Sequence, residues 1–270
     1  MELLKTLESE TCVVMDWFRV NKMKPNQDKC HLLVADINHK AYSSNSYIYL
    51  ENVFLGSEKS VRLLGIQIDQ NLNFEEHITS LLKDANKKLH ALMRIRKYMT
   101  QDKSRLIMKT FIESQFNYCP LVWMCHSRDL NNRINKLHER ALRVVYKRKD
   151  LTFEELFLRL DCSFTIHERN LQKLATEMYK AKHKLCPKPF LDLFTPATRE
   201  KNDWVLPKVT GVNKGLETIR YRGPMTWRMV PEEIKLSKTL FAFKEKIRKW
   251  KPTGCNCRLC KIYIQGLGYL

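Results

Sequence analysis

Basic residues are regularly spaced in one segment near the middle of the chain. Five cations follow one another at steps of three, four, three and four residues: Arg133, Lys136, Arg140, Arg143 and Lys147. In an α-helix this spacing places all five side chains on one face. That face can lie along a phosphate backbone, or it can be an ordinary solvated surface. Because Glu139 is the one acid close to this stripe, helical salt bridges do not explain it, and the pattern favours phosphate contact.

A second basic segment supports the same interpretation. Between Leu81 and Tyr98 the sequence contains six further cations: Lys83, Lys87, Lys88, Arg94, Arg96 and Lys97. Together the two segments predict a cradle of two helices for a phosphate backbone, to which Lys87 and Arg94 would contribute.

The net charge of the chain is +19, and it is unevenly distributed. Residues 1–80 contain 8 Lys and Arg against 11 Asp and Glu, a net charge of −3, so residues 81–270 carry +22. A field of that size attracts polyanions and makes their binding depend strongly on salt. Nucleic acid is the partner that this charge favours most, and an anionic membrane surface and an acidic protein are the alternatives.

Three of the nine cysteines form the pattern Cys255-x-Cys257-x2-Cys260. Their thiolates could bind zinc, but a closed structural site needs a fourth ligand, and no histidine follows His183. The two interpretations are therefore a zinc site and free thiols. The odd number of cysteines and their uneven spread do not indicate a disulfide framework, which favours an intracellular protein with reduced thiols.

The sequence contains no catalytic triad, P-loop or dinucleotide-type glycine fingerprint. Asp16, Asp36 and Asp69 are isolated, and none belongs to the adjacent aspartate pair on a β-hairpin that two-metal nucleotidyl transfer requires. No basic start and apolar core of a signal peptide is present, and no apolar run approaches the roughly 18 residues of a membrane span. The expected location is the nucleus or the cytoplasm, without a membrane partner.

The elements that would position these residues change character at about residue 72. The first part predicts a helix from Leu3 to about Val20 and three strands, at His31–Asp36, Tyr47–Phe54 and Val61–Asp69. The next part, to about residue 186, predicts a helical bundle, because apolar residues recur at helical spacing after clear helix starts.

The helix starts are local sequence signals. Three capping boxes begin at Asn73, Thr152 and Thr165, each followed three residues later by glutamate, and Thr100 and Ser127 are further N-cap residues. Several prolines and glycines predict an irregular segment at residues 190–230. A last helix is predicted at about 231–249.

Two motifs in the first 72 residues are more specific than these patterns: Trp17-x3-Asn21-x4-Asn26-x2-Lys29, and Leu64-Gly-Ile-x-Ile-Asp69. In this order they resemble the end of the palm domain of reverse transcriptases from LINE-type (non-LTR) retrotransposons, after the metal-binding aspartate pair. Three later segments look like the thumb and post-thumb regions of the same enzymes, so that the similarity covers about residues 3–269: Phe111–Trp123, Leu137–Arg143 and Arg222–Pro231.

This resemblance implies roles for two residues. Lys29 matches a lysine near the phosphates of the incoming nucleotide, where it can act as general acid toward pyrophosphate; otherwise it is a solvated turn lysine. Gly65 matches the primer grip, the strand pair that presses on the backbone near the primer's 3′ end. A glycine inside a strand indicates such a close approach or a plain β-bulge.

The expected fold class is α+β. A truncated palm with the primer-grip strands is predicted at 1–72, a basic helical thumb at 73–186, and a C-terminal extension with the last helix and the cysteine cluster at 187–270. As the resemblance implies, such a fragment would hold RNA and DNA as template and primer for an RNA-directed DNA polymerase of a transposable element.

The resemblance also implies partners and cofactors. The missing N-terminal reverse transcriptase and nuclease regions would be partners, and magnesium would serve the intact enzyme. This chain alone is predicted to need no cofactor apart from the zinc considered above, and to be inactive as a polymerase. The alternatives are a non-enzymatic nucleic-acid-binding protein derived from a retroelement and a pseudogene product without function.

Overall fold

A computed structural model describes residues 2–35, 46–51, 53–152, 155–157, 164–197, 203–209, 213–255, 257 and 259. Helices predominate in it, and the strands form two separate two-stranded antiparallel sheets. The coarse α+β class predicted from the sequence is therefore confirmed. The chain divides into two compact units, Met1–His77 and Ile78–Leu270.

The first unit begins with helix α1 (Glu2–Val20), as the apolar spacing predicted. Two polar contacts join this helix to the hairpin that follows it in the sequence. The backbone N–H of Tyr49 donates to Glu8 Oε1 at 2.9 Å, and Arg19 Nη2 pairs with Glu51 Oε1 at 2.6 Å. The ion pair of Arg19 and Glu51 is exposed to solvent, so it contributes little to the stability of the unit.

The strands predicted at Tyr47–Phe54 and Val61–Asp69 are both β-hairpins instead of single strands. They consist of four strands paired as β1 with β2 and β3 with β4: β1 (Tyr47–Leu50), β2 (Val53–Gly56), β3 (Ser60–Leu63) and β4 (Ile66–Asp69). The prediction was wrong because neither turn has a proline or an Asn-Gly pair, so the β-forming residues on its two sides predicted one strand.

The turn of the second hairpin is formed by Leu64 and Gly65, whose φ angles are 47° and 86°. Two consecutive positive φ angles are typical of a type I′ turn. Glycine adopts this conformation without strain, whereas leucine rarely does. The leucine is the reason that the sequence did not predict a turn here. Gly65 therefore lies in a hairpin turn, neither inside a strand nor in a bulge.

The strand predicted at His31–Asp36 is reduced, over its described residues, to one parallel bridge between Leu32 and Ser57. A contact of 2.6 Å between His31 Nδ1 and Glu58 Oε1 joins the same two stretches. Asp36 lies outside the described residues.

The helices that follow the hairpins are α2 (Glu75–Ile95), α3 (Gln101–Ile107), α4 (Pro120–Trp123), α5 (Arg128–Tyr146), α6 (Ile166–Lys182), α7 (Lys188–Leu191), α8 (Ile219–Met229), α9 (Glu232–Lys235) and α10 (Leu240–Ile247). Shorter turns of 3₁₀ or π type occur at Gln27–Lys29, Arg96–Tyr98, Met108–Ile112, Glu113–Asn117 and Asn213–Glu217. None of the described helices combines the length and the apolar character needed to cross a bilayer.

Most of the predicted N-caps are confirmed. Thr100, Ser127 and Thr165 each accept a hydrogen bond from the backbone N–H three residues later. Thr152 and Glu155 make the reciprocal bonds of a capping box, as Thr165 does with its own glutamate. The sequence predicted these caps correctly because a cap involves residues within one helical turn of each other.

The helix predicted to be capped by Asn73 begins instead at Glu75. The carboxylate of Asp69 accepts hydrogen bonds from the backbone N–H groups of Asn71 at 3.0 Å, of Asn73 at 3.1 Å and of Phe74 at 2.6 Å. These bonds satisfy donors in the loop before α2, so the charge of Asp69 has a structural use here.

Residues of α6 and of the C-terminal region share one apolar core. Its buried members are Ala175, Met178, Tyr179, Ala181, Phe194, Trp204, Trp227, Val230, Ile234, Phe243, Ile247 and Trp250. Tyr179 and Phe243 stack with ring centroids 4.3 Å apart, and the hydroxyl of Tyr179 donates to the carbonyl of Ser237 at 2.7 Å. The core therefore joins residues on both sides of position 186.

Two predictions for the C-terminal region were wrong. The irregular segment predicted at 190–230 contains α8, which includes Gly223 and Pro224. A Cβ atom on Gly223 would lie 2.6 Å from Met178 Sδ, so the glycine permits close packing on α6, and this packing outweighs the local cost of Gly and Pro. The last predicted helix is two short helices, α9 and α10, because Thr239 caps a new one.

Candidate functional site

Helix α5 is buried along one side and presents cations on the other. The apolar stripe predicted for it is buried: Leu130, Ile134, Leu137, Ala141, Val144 and Val145. On the basic face, Lys136 and Arg140 are exposed and Arg133 is half-buried, whereas Lys147, also exposed, lies just after the helix as its C-cap with a φ angle of 54°. Within the described part of the chain, no ion pair involves any of these four side chains.

Arg143, the remaining member of the stripe, is engaged in local contacts. Its Nε and Nη2 donate to Glu139 Oε1 at 3.0 and 2.6 Å. Its Nη1 donates to the backbone carbonyls of Arg148 at 3.4 Å and Lys149 at 3.1 Å. The guanidinium therefore holds the chain that leaves α5, and the salt bridge discounted from the sequence is present at this one position.

Two contacts join α5 to α2 and to the turn after it. Arg140 Nη1 donates to Asn86 Oδ1 at 3.4 Å, and Arg96 Nη1 donates to the carbonyl of Val144 at 2.8 Å. They bring basic residues of the two segments onto adjoining surfaces. We call six exposed cations of α2, of α5 and of the C-cap of α5 the cationic surface: Lys83, Lys87, Arg94, Lys136, Arg140 and Lys147.

The cationic surface has little acidic compensation. Lys87 pairs with Asp84 on the same helix, Nζ to Oδ1 at 3.1 Å. Both partners are exposed, and an exposed ion pair contributes little stability because water screens the attraction between its charges. A phosphate group could therefore compete with Asp84 for the side chain of Lys87.

The two residues singled out by the resemblance lie at exposed turns of the first unit. Lys29 ends the 3₁₀ turn Gln27–Lys29, and its backbone N–H donates to the carbonyl of Asn26 at 3.1 Å. Gly65 is exposed at the tip of the β3–β4 hairpin, beside Leu64, which is 82% exposed. The positions of these two turns do not test the predicted roles of Lys29 and Gly65, which stay predictions.

A buried ionic cluster within the second unit has a structural role. The carboxylate of Glu113, 5% exposed, accepts from His138 Nε2 at 2.9 Å and from Arg169 Nη1 at 2.6 Å. Burial alone would raise the pKa of Glu113, but the hydrogen bonds and charges of His138 and Arg169 lower it to about 2. The cluster ties α5 and α6 to the 3₁₀ turn that contains Glu113.

A histidine and two cysteines meet where the C-terminal segment passes the first turn of α6. His167 Nε2 lies 3.3 Å from Cys257 Sγ and 4.0 Å from Cys255 Sγ. The three ligand atoms all lie within 4.8 Å of one another, and both cysteines are buried, while His167 is 9% exposed. Burial alone would lower the pKa of His167, but hydrogen bonds and charges of the two cysteines raise it to about 9.

A further cysteine lies close to this cluster. Cys125 lines a cavity together with His126, His167, Leu171, Glu217, Arg222 and Leu259. It packs against the apolar group that includes Cys255 and Cys257. Burial raises the pKa of the Cys125 thiol to about 11, with an opposing charge from Arg222 and a contribution from Cys257.

Sequence reasoning found only part of this cluster. It grouped Cys255 and Cys257 with Cys260, which lies outside the described residues, and it considered only the residues after His183 for a histidine ligand. His167 precedes Cys255 by 88 residues, so no local spacing connected the two. The one signal was the capping box at Thr165, which placed His167 near a helix start without giving it a role.

Comparisons with known proteins give no relative for this chain: no family model, no curated protein and no solved structure matches it.

Proposed function

We propose that this chain binds duplex nucleic acid through its cationic surface. The observation that carries the proposal is the contact between Arg140 and Asn86, which sets the exposed cations of α5 beside those of α2. Lysine and arginine side chains that lack acidic partners bind phosphates by releasing condensed counterions. A rigid helix face gives those cations fixed positions along a backbone, since α5 is held by its buried side.

The charge of the whole chain supports the proposal. Residues 81–270 carry a net charge of +22, which speeds the capture of a polyanion and gives binding a steep salt dependence. No feature of the cationic surface discriminates between bases, because lysine and arginine contacts to phosphate carry no sequence information. Binding should therefore have little sequence preference.

A finer proposal follows from the resemblance to LINE-type reverse transcriptases. The duplex would be a template and primer, held for an RNA-directed DNA polymerase of a retrotransposon. The Gly65 hairpin and Lys29 would then lie near the primer end and the nucleotide phosphates. This finer proposal predicts that a primed RNA template, with a recessed DNA 3′ end, binds more tightly than a blunt DNA duplex of equal length.

The test is a salt titration of binding, measured by fluorescence anisotropy with a labelled RNA–DNA hybrid. The variant carries Lys136→Gln, Arg140→Gln and Lys147→Gln. Its slope of log affinity against log salt should be smaller than that of the wild type by about one unit for each lost phosphate contact. Affinity should fall similarly for duplexes of unrelated sequence.

The matched control removes the same charge elsewhere, through Lys5→Gln, Lys24→Gln and Lys59→Gln, which change exposed lysines of the first unit. It should leave the slope unchanged. Equal slopes for the test variant and the wild type would contradict the proposal. Tighter binding to vesicles of anionic lipid or to polyglutamate than to the hybrid would favour a membrane surface or an acidic protein instead.

A further inference from the structure

The distances in the His167, Cys255 and Cys257 cluster are close to those of a zinc site. Zinc binds cysteine sulfur at about 2.3 Å and histidine nitrogen at about 2.0–2.1 Å, so tetrahedral ligands lie roughly 3.5–3.8 Å from one another. The distances from His167 Nε2 to the two sulfurs are 3.3 and 4.0 Å. The two sulfurs lie within 4.8 Å of each other, so a shift of up to about 1 Å in the cysteine side chains would place all three atoms around one ion.

The cluster is positioned from both sides before any ion binds. The capping box of Thr165 and Glu168 fixes the first turn of α6, which carries His167. The C-terminal segment is held on the same helix, because Gln172 Nε2 donates to the carbonyl of Trp250 at 2.7 Å. Ligands that are already ordered lose less conformational entropy when a metal binds.

We propose that His167, Cys255 and Cys257 bind a zinc ion that fastens the C-terminal segment to the start of α6. Thiolate and imidazole are the ligands that zinc takes in closed structural sites. A closed site needs a fourth ligand, and we assign it to Cys125, whose side chain lines the adjoining cavity together with His167.

This site goes beyond nucleic-acid binding and does not depend on it. Its role is structural, because four protein ligands leave no open position for a substrate. Zinc that binds the folded state and not the unfolded chain stabilises the fold by linkage. Loss of the ion would release the segment around Cys255 and Cys257 from α6.

The first experiment uses the full chain without substitutions. Purified protein should contain stoichiometric zinc by elemental analysis, and chelation should lower its thermal midpoint, which added zinc should restore. Replacement by cobalt(II) should give the visible bands of a tetrahedral ion and thiolate-to-cobalt absorption in the near ultraviolet. Absence of zinc, of cobalt–thiolate absorption and of any zinc effect on the midpoint would overturn the proposal.

The second experiment assigns the ligands. Cys257→Ser and His167→Gln should each lose stoichiometric metal and the wild-type cobalt spectrum, whereas Cys12→Ser and His90→Gln, at exposed positions, should keep both. Cys125→Ser should lose part of the cobalt–thiolate absorption. A wild-type spectrum in Cys257→Ser or in Cys125→Ser would contradict the site as proposed.

Discussion

Among single residues, Glu113 combines full burial with a charge on which two other side chains depend. Replacing Glu113 by glutamine keeps the shape of the side chain but removes the negative charge that Arg169 and His138 contact. Removal of one partner from a buried ionic group typically costs about 3–5 kcal/mol. We expect Glu113→Gln to lower the free energy of unfolding by this order, measured by urea denaturation at neutral pH.

The same carboxylate predicts a pH dependence. The pKa of Glu113 is lowered from 4.5 to about 2 in the folded state, so its stabilising contribution is complete above about pH 4.5 and is lost as the pH falls toward 2. The loss should reach about 3 kcal/mol. Urea midpoints recorded over this range should fall more steeply for the wild type than for Glu113→Gln. Parallel curves for the two proteins, with exposed Glu10→Gln as control, would show that this carboxylate does not titrate as described.

Arg143 and Arg140 lie one helical turn apart and should behave in opposite ways. Arg143→Gln removes the bonds to Glu139 and to two backbone carbonyls, so we expect a loss of about 1 kcal/mol in unfolding free energy. Arg140→Gln should change the thermal midpoint little, because its bond to Asn86 is long and exposed, and should weaken duplex binding. Paired measurements of thermal midpoint and hybrid affinity would check this, and a destabilised Arg140→Gln with wild-type affinity would reverse the assignment.

Helices α1 and α5 differ in how much of their apolar surface is buried. Six large apolar residues of α1 are exposed: Leu3, Leu7, Val13, Val14, Trp17 and Val20. Helix α5 has apolar and polar side chains buried along its whole length. Because local opening costs least where few apolar contacts are broken, amide hydrogens of α1 should exchange faster than those of α5.

Hydrogen exchange followed by mass spectrometry would measure this difference under native conditions. Protection of α1 equal to that of α5 would mean that its exposed apolar face is covered in solution. Analytical ultracentrifugation of the same sample would then reveal whether a second copy of the chain covers it.

For the molecule as a whole, stability and binding should respond to salt in opposite directions. Residues 81–270 carry a net charge of +22, and their positive charges repel one another in the folded state. Added salt screens this repulsion. We therefore expect the thermal midpoint to rise with moderate salt while the affinity for a duplex falls. A midpoint that falls as salt is added would show that attractive ion pairs outweigh the repulsion.

The sequence by itself determined the features that depend on near neighbours. The helix of α1, the apolar stripe of α5 and the caps at Thr100, Ser127 and Thr165 were predicted correctly. Each involves residues within about four positions, so its signal is present in a short window of the chain. The uneven charge was equally readable, because composition does not depend on folding.

The tertiary structure decided what depends on distant segments or on backbone geometry. Leu64 turns a hairpin with a positive φ that its side chain disfavours, and Gly223 sits inside a helix because Met178 packs against it. His167 meets Cys255 and Cys257 across 88 and 90 residues. Packing brings such groups together and no local pattern records it, so the sequence indicated the two cysteines but only the folded chain showed His167 beside them.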